Sequence, residues 1–450
     1  MPAISAVLIV KNEARRLPAC LEAVRRVVDE IIVADTGSTD DTLAVAREYT
    51  PHCHEIPWED DFAAARNRAI ALAAGPWILS LDADEVIENP DAARALLEEF
   101  VQYQPDGVTG AIQHRSPTGS GPDHAVVSGH VERFFPKARY TYRGIIHEQL
   151  APVSGAHPGV ADTGVVVAHS GYDCALHDPD HKGLRNLPLL ERATAADPEN
   201  EYYHYQLGKT LYALKRYAEA AQAFERALAL IDFSGEAPRG RQGTPAAREM
   251  LTTLVTSLAY AYANTDRLDA AEALLSDHIN LGHAGTRRAD FYHVCGYIAL
   301  MLGDVERARA GYTEAMRCGA VREDVAGTGS YASAYHLGLL AEADQDPIAA
   351  IGHYGDALAH KPDYRPALDR FIDFMVEHQF GVAPAIQASA DPAAFHAAVL
   401  RKLKQRLDAG DKEAGDFIVT AAGLLALTNK AFAGGLLDEC QQIRRQYGIA

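Results

Sequence analysis

Asp82, Asp84 and Glu85 crowd three carboxyl groups into the stretch WILSLDADE, directly after an apolar run. Like charges this close repel, and partial burial strengthens the repulsion because the local dielectric falls. The clustering makes sense if a positive group is held there, and a divalent cation is the expected one. Hard carboxylate oxygens at a strand end suit magnesium or manganese. Magnesium keeps several of its waters, so one or two aspartates suffice. A merely solvated turn would leave unexplained why an apolar strand runs straight into three acids.

Other residues could share that chemistry. Asp35 ends EIIVAD and precedes the polar turn TGSTDDT. Capping the next helix would be its plain structural use, but Ser38, Thr39 and Asp40 already offer caps. Glu13, in IVKNEA, is either a ligand or a first-turn acid favoured by the helix dipole. Arg66 and Asn67 lie in FAAARNRAI, where Arg68 is expected to face solvent. Further on, YRGIIHEQL sets His147 beside Glu148, and either could accept a proton; capping a loop is the competing use. His169 closes the strand-like VVVAH, where a neutral imidazole could bind a cation. Lys182 and Arg185, in HKGLRN, either reach a phosphate or lie on a helix surface. His52 and His54 share one side of a strand while Cys53 takes the other, so no zinc site is expected there.

These residues must be placed by elements that the pattern predicts. ISAVLIV (4–10), EIIVAD (30–35), HCHEIPW (52–58) and PWILSLDADE alternate with helical stretches, which implies right-handed crossovers and a mostly parallel sheet. Ligands of such sheets bind beyond the carboxyl ends of the strands, where Asp35 and the 82–85 cluster fall. From about Gly107 to His169 strand-rich segments read as antiparallel additions to the same sheet, with a turn-forming loop at 117–124.

Past about Asn186 the chain becomes helical and repeats. Gly208, Ala259, Gly296 and Gly338 occupy one equivalent position. Ala220, Ala271, Ala308 and Ala350 follow at a second, and Phe224, Leu275, Tyr312 and Tyr354 at a third. A small residue lets antiparallel helices approach, and a large one fills the next gap. The copies are unevenly spaced, with DFSGEAPRGRQGTP between the first two. After Pro366 the helical pattern continues without the register. The expected domains are 1–185, 186–365 with about four repeats, and a helical cap at 366–450.

The whole chain of 450 residues carries a net charge of -19, with 48% apolar and 23% charged residues. That excludes wholesale disorder and argues against coating nucleic acid or an anionic membrane, both of which demand a basic face. The N-terminus reads as a first strand rather than a signal peptide, and no apolar run approaches a membrane span. Six scattered cysteines suggest reduced thiols and a cytoplasmic location.

Taken together, IVKNEA, VADTGSTDDT, FAAARNRAI and LSLDADE, in that order and context, resemble a family 2 glycosyltransferase of the GT-A fold over about residues 4–175. The repeat register resembles the tetratricopeptide repeat. The resemblance implies an α/β plus all-α chain: a Rossmann-like nucleotide-diphospho-sugar transferase domain followed by a tetratricopeptide solenoid, similar to bacterial peptide or protein glycosyltransferases. It implies nucleotide-sugar contacts from Val10, Glu13, Asp35, Arg66, Asn67, Asp82 and Ala83, with Asp35 and Glu13 toward the nucleoside and Asp82 toward the ribose or sugar hydroxyls. It implies Mg2+ or Mn2+ on Asp84 and His169. Glu148 is expected as the base and His147 as its substitute, although the segment departs from the wider family's glutamate-aspartate signature. A UDP-hexose donor and a peptide or protein acceptor at the repeats follow, with inversion. A homodimer, a lipid-linked or small-sugar acceptor, and a scaffold without catalysis stay open. A sugar nucleotidyltransferase is disfavoured, because LIVKNEARRL lacks a glycine-rich phosphate loop.

Overall fold

The computed structural model describes residues 3–118, 125–155, 157–169, 179–232, 246–280, 288–320, 323, 325–378, 392–410, 442–443 and 445–447. Parts of the 117–124 loop, most of the insertion after Ile231, Cys174, Cys440 and much of the expected C-terminal cap lie outside them. The chain divides into two compact units, Met1–Arg216 and Tyr217–Ala450.

The first unit opens with β1 (Ile4–Val10), α1 (Leu17–Val24), β2 (Glu30–Asp35), α2 (Thr42–Arg47), β3 (Cys53–Glu55), α3 (Phe62–Leu72) and β4 (Trp77–Leu81). β1 alternates between two cores. Ile4, Ala6, Leu8 and Val10 face α1 and α4 (Pro90–Tyr103), while Val7 packs with Ile32, Ile78 and the α3 residues Ala69 and Ile70. Covered on both faces, these strands read as almost unbroken apolar runs. β1 pairs in parallel with β2 and with β4, and the register sets Val10 opposite Asp35 and Leu8 opposite Leu81. Val10, Asp35 and the acidic turn after Leu81 therefore share one edge.

β5 (Glu85–Ile87) follows that turn, and β6 (Thr109–Thr118), β7 (Ala125–Pro136) and β10 (Val160–His169) complete a sheet of order β3-β2-β1-β4-β7-β6-β10-β5. β7 joins β4 and β6 antiparallel, as expected, but β10 runs parallel to β6 and antiparallel to β5. β8 (Tyr140–Arg143) and β9 (Gln149–Pro152) form a separate hairpin. Two helices complete the unit, α5 (Pro179–Ala196) and α6 (Glu201–Ala213). Ile146 packs with Leu189, Leu190 and Ala193 of α5, and Tyr203 and Leu207 of α6 join them. Burial of these apolar groups places in the first unit helices that periodicity alone assigned mainly to the repeats.

The second unit is helical: α7 (Tyr217–Ala229), α8 (Ala246–Ala263), α9 (Leu268–Asn280), α10 (Ala289–Met301), α11 (Val305–Cys318), α12 (Tyr331–Ala343), α13 (Pro347–His360), α14 (Arg365–His378) and α15 (Pro392–Asp408) among the described residues. Its aligned small and large positions are all buried, from Ala220 and Phe224 to Ala350 and Tyr354. The small residues are sterically required. A Cβ on Gly338 would sit 2.4 Å from the Tyr354 ring, and one on Gly311 would sit 2.6 Å from the Gly296 nitrogen. No described helix is long and apolar enough to cross a membrane.

Two histidines sit inside this stack. His293 Nδ1 lies 2.8 Å from the Ser333 hydroxyl, and His336 stacks on Tyr312 at 4.7 Å between ring centres. Burial holds His293 down to about 3 and His336 to about 4, with the neighbouring His336 charge adding to the effect on His293. Unfolded histidines titrate near 6.5, so between that value and pH 4 the unfolded chain binds more protons. Stability from this pair is complete above about pH 6.5 and falls as pH drops, by up to about 1.4 kcal/mol per pH unit for each histidine. Hydrogen exchange should therefore speed up in α10 and α12 between pH 7 and 4.5, after correction for intrinsic rates. His293→Asn with His336→Gln should flatten that dependence; an unchanged slope would refute it.

Candidate active site

A buried guanidinium organises the cleft beyond the strand ends. Arg66, only 6% exposed, rises from α3. Its Nε donates to Glu148 Oε1 at 2.6 Å, one Nη to Asp82 Oδ1 at 2.6 Å, and the other Nη to the Ser80 hydroxyl at 3.2 Å. The group also lies 5.4 Å from the centre of the Tyr142 ring. Arg133 of β7 takes the second oxygen of Asp82 at 2.7 Å and reaches Glu85 Oε1 at 3.2 Å. Glu85 Oε2 in turn accepts the Asp82 backbone N–H at 3.0 Å. Part of the positive charge that the acidic turn demands is thus supplied by the chain itself.

The two acids respond in opposite ways. Burial pushes Asp82 up, but Arg66 and Arg133 outweigh it and hold the carboxyl well below the usual range. Glu85 is pushed up to about 7 by burial, which Arg133 only partly offsets while Asp82 adds repulsion. His114 Nε2 lies 3.5 Å from Glu85 Oε1. Asp84, half-buried in the turn, is felt electrostatically by the β1–α1 loop. There the Glu13 carboxyl is raised by burial first and then by the Asp84 charge, against the pull of Arg16 at 3.2 Å.

The residues expected to contact a nucleotide fall into distinct uses. Asp35, 1% exposed, accepts the N–H groups of Gly37 and Ser38 at 2.6 and 2.7 Å on Oδ1, and its buried Oδ2 has no hydrogen-bond partner. A buried acceptor left open is costly, which fits a ligand donor arriving there. The Val10 carbonyl accepts the Thr36 N–H and hydroxyl at 2.9 and 3.1 Å, so it holds the two loops together. Asn12, with φ of +58°, fastens the same loops through Thr39 and Ser38. Ala83 is buried in the turn. Asn67 does not point into the cleft's chemistry: its amide gives and takes hydrogen bonds of 2.9 Å with the Tyr142 backbone, splinting β8.

The GIIHE segment is equally constrained. Gly144 has φ of +101°, and a Cβ there would meet the Tyr203 hydroxyl at 2.7 Å. Phe62 N–H donates to the Ile145 carbonyl, Ile146 is buried between α5 and α6, and His147 follows with φ of +51°. A non-glycine residue held left-handed stores strain of the kind that collects at functional sites. Glu148 arrives against Arg66. On the far side, the sheet register sets His169 opposite Glu85, one residue from Asp84. Arg185 stands 5.9 Å from the centre of the Phe62 ring and feels Glu13; Lys182 is carried on the same helix. Arg68 is exposed, paired with Glu59.

Sequence reading singled out the acidic turn with Glu85, Asp35 and Arg66, but not their partners Arg133 and Ser80. The 51-residue separation of Arg133 from Asp82 carries no local signature.

A mixed sheet with acids at the ends of the two parallel strands that flank β1 is an α/β arrangement, and comparison with known proteins narrows the class. Residues 5–149 match the glycosyl transferase family 2 model and residues 201–232 the tetratricopeptide repeat model. A TPR repeat-containing protein of Synechococcus elongatus is 35% identical over 221 residues, covering 47% of this chain and 53% of the relative. The SPbeta prophage-derived glycosyltransferase SunS of Bacillus subtilis is 28% identical over 232 residues, 50% of this chain and 53% of its own. An uncharacterized glycosyltransferase of Rickettsia felis is 41% identical over 103 residues, 23% of this chain and 34% of that one. The chain spans about half the length of the first two. Its N-terminal part is thus similar to family 2 glycosyltransferases, and tetratricopeptide-like sequence follows.

Removing the shared guanidinium should be severe, because it strands two acids in a poorly solvated place. Arg66→Met should destabilise the first unit by about 3–5 kcal/mol. Both tryptophans, Trp58 and Trp77, lie in that unit, so urea denaturation followed by fluorescence reports it. Adding Glu148→Gln should recover part of the loss. A single variant within about 1 kcal/mol of the wild type would contradict the role given to Arg66.

Proposed function

We propose that this chain transfers a hexose from a uridine-diphosphate sugar to a peptide or protein side chain, with inversion and with the help of a divalent cation. The observation that carries the reading is the placement of Asp35 at the end of β2 and of Asp82 and Asp84 just after β4, the two parallel strands that flank β1, with the buried Oδ2 of Asp35 awaiting a donor. The family 2 match over residues 5–149 supports it. The four described cysteines that are free thiols suit a cytoplasmic enzyme.

The donor set near the turn is hard carboxylate oxygen, and the Asp84 charge adds to the burial that raises Glu13. Both features fit magnesium or manganese. No cluster of three histidine, cysteine or acidic groups forms among the described residues, so Asp84 would hold the ion with few protein ligands, and His169 is its expected companion. When bound, the ion neutralises charge that builds on the departing diphosphate. Asp35 receives the nucleoside. Asp82, fixed at both oxygens by guanidiniums, keeps its charge and orientation beside the sugar.

Glu148 takes the acceptor proton, and His147 stands next to it. The pairing of Glu148 with Arg66 at 2.6 Å holds the carboxylate well aimed. A serine or threonine hydroxyl would depend on it strongly, whereas a cysteine thiol, partly ionised near neutral pH, would depend on it less.

Asp84→Ala should abolish donor hydrolysis and transfer while the fluorescence-detected fold persists; undiminished activity would remove the metal from the account. Glu148→Gln should slow transfer to a hydroxyl acceptor by about 100-fold or more, and transfer to a thiol by less. A wild-type rate to a hydroxyl acceptor would show that Glu148 is not the base.

A further inference from the structure

Helix α6 begins beside the GIIHE segment. Asn200 caps it by accepting the N–H groups of Tyr202 and Tyr203, which fixes the first turn. Tyr202, Tyr205, Gln206 and Lys209 recur at helical spacing and share one face. The Tyr202 ring meets His147 edge-on at 6.5 Å between centres, and its hydroxyl hydrogen-bonds Gln206 and Gln149. Tyr205 lies tilted 6.5 Å from Tyr202, and the exposed Lys209 ammonium sits 5.2 Å from the Tyr205 ring. The face therefore starts at the candidate base and runs outward for about 10 Å, the rise of seven helical residues. That length matches about three residues of extended polypeptide.

The chemistry of the face selects among acceptors. A sugar is commonly gripped on an open aromatic face, but Tyr202 is flanked by His147 at a right angle and by Tyr205. The polar groups along the face are a phenol hydroxyl already bonded to two carboxamides, which keep further donor and acceptor capacity, and the Lys209 ammonium, while the Tyr205 ring is buried. Those groups complement backbone amides and carbonyls.

We propose that this face of α6, with Gln149, is the acceptor subsite and holds an extended polypeptide whose reacting side chain reaches Glu148. The assignment rests on the transferase reading and makes α6, the first helix of the matched repeat segment, part of the reaction site. Tyr202 binds substrate, and Lys209 sets a preference for a carbonyl-rich or acidic flank.

The test uses the intact chain with UDP-glucose and a randomised heptapeptide mixture carrying a central serine or cysteine. N-acetylglucosamine and methyl β-glucoside serve as sugar acceptors. The wild type should glycosylate the peptides in preference to the sugars. Tyr202→Ala and Lys209→Glu should each raise the apparent KM for peptide about tenfold, a change typical of losing one interface anchor, while UDP affinity by calorimetry stays within about twofold. Lys209 is a surface position, so its variant separates lost binding from lost folding. Peptide KM values unchanged in both variants, or transfer to the sugars alone or to neither class, would overturn the subsite. Failure of the wild type to bind UDP would instead overturn the transferase reading beneath it.

Discussion

Two guanidiniums threaded between three carboxylates hold this cleft together. Arg66 and Arg133 bracket Asp82, and each reaches one further acid, Glu148 or Glu85. In such a poorly solvated place neither sign of charge is tolerable alone, so loss of either partner leaves the other uncompensated. The network also fixes distances. Arg66 ties α3, the end of β4 and the residue before β9 to one planar group, so Asp82 and Glu148 cannot drift independently. We read this as preorganisation: the charges that a leaving diphosphate and an incoming nucleophile would meet are already in place.

Backbone constraints serve the same end. The parallel register brings the end of β2 level with the end of β1, and the acidic turn follows β4 on the other side. The GIIHE segment needs a glycine where Tyr203 approaches and an isoleucine to anchor between helices, and it tolerates His147 in a left-handed conformation. α5 and α6 are therefore structural components of the first unit.

How much could be read in advance followed the range of each interaction. Strand alternation, the helix pattern of α3 and the small–small–large register were legible because they are local. Gly338 against Tyr354 is a rule of helix contact that any aligned repeat reveals. Asp82, Asp84 and Glu85 were legible as an electrostatic anomaly, but its resolution was not. A divalent cation was expected as the counter-charge; Arg133, arriving from 51 residues away, supplies part of it. Asn67 was expected near the nucleotide from the family resemblance of its segment; in the structure its amide hydrogen-bonds the Tyr142 backbone, a contact no local pattern encodes. The direction of β10 depends on which strand fills the gap beside β6, and no periodicity encodes that.

Calorimetric titration of the intact chain with UDP, in manganese and again in EDTA, bears most directly on the central claim. Binding that is at least tenfold tighter with manganese, and lost in Asp35→Ala, is the predicted result. Equal absence of binding in both buffers would show that the strand-end acids are not a nucleoside-diphosphate site.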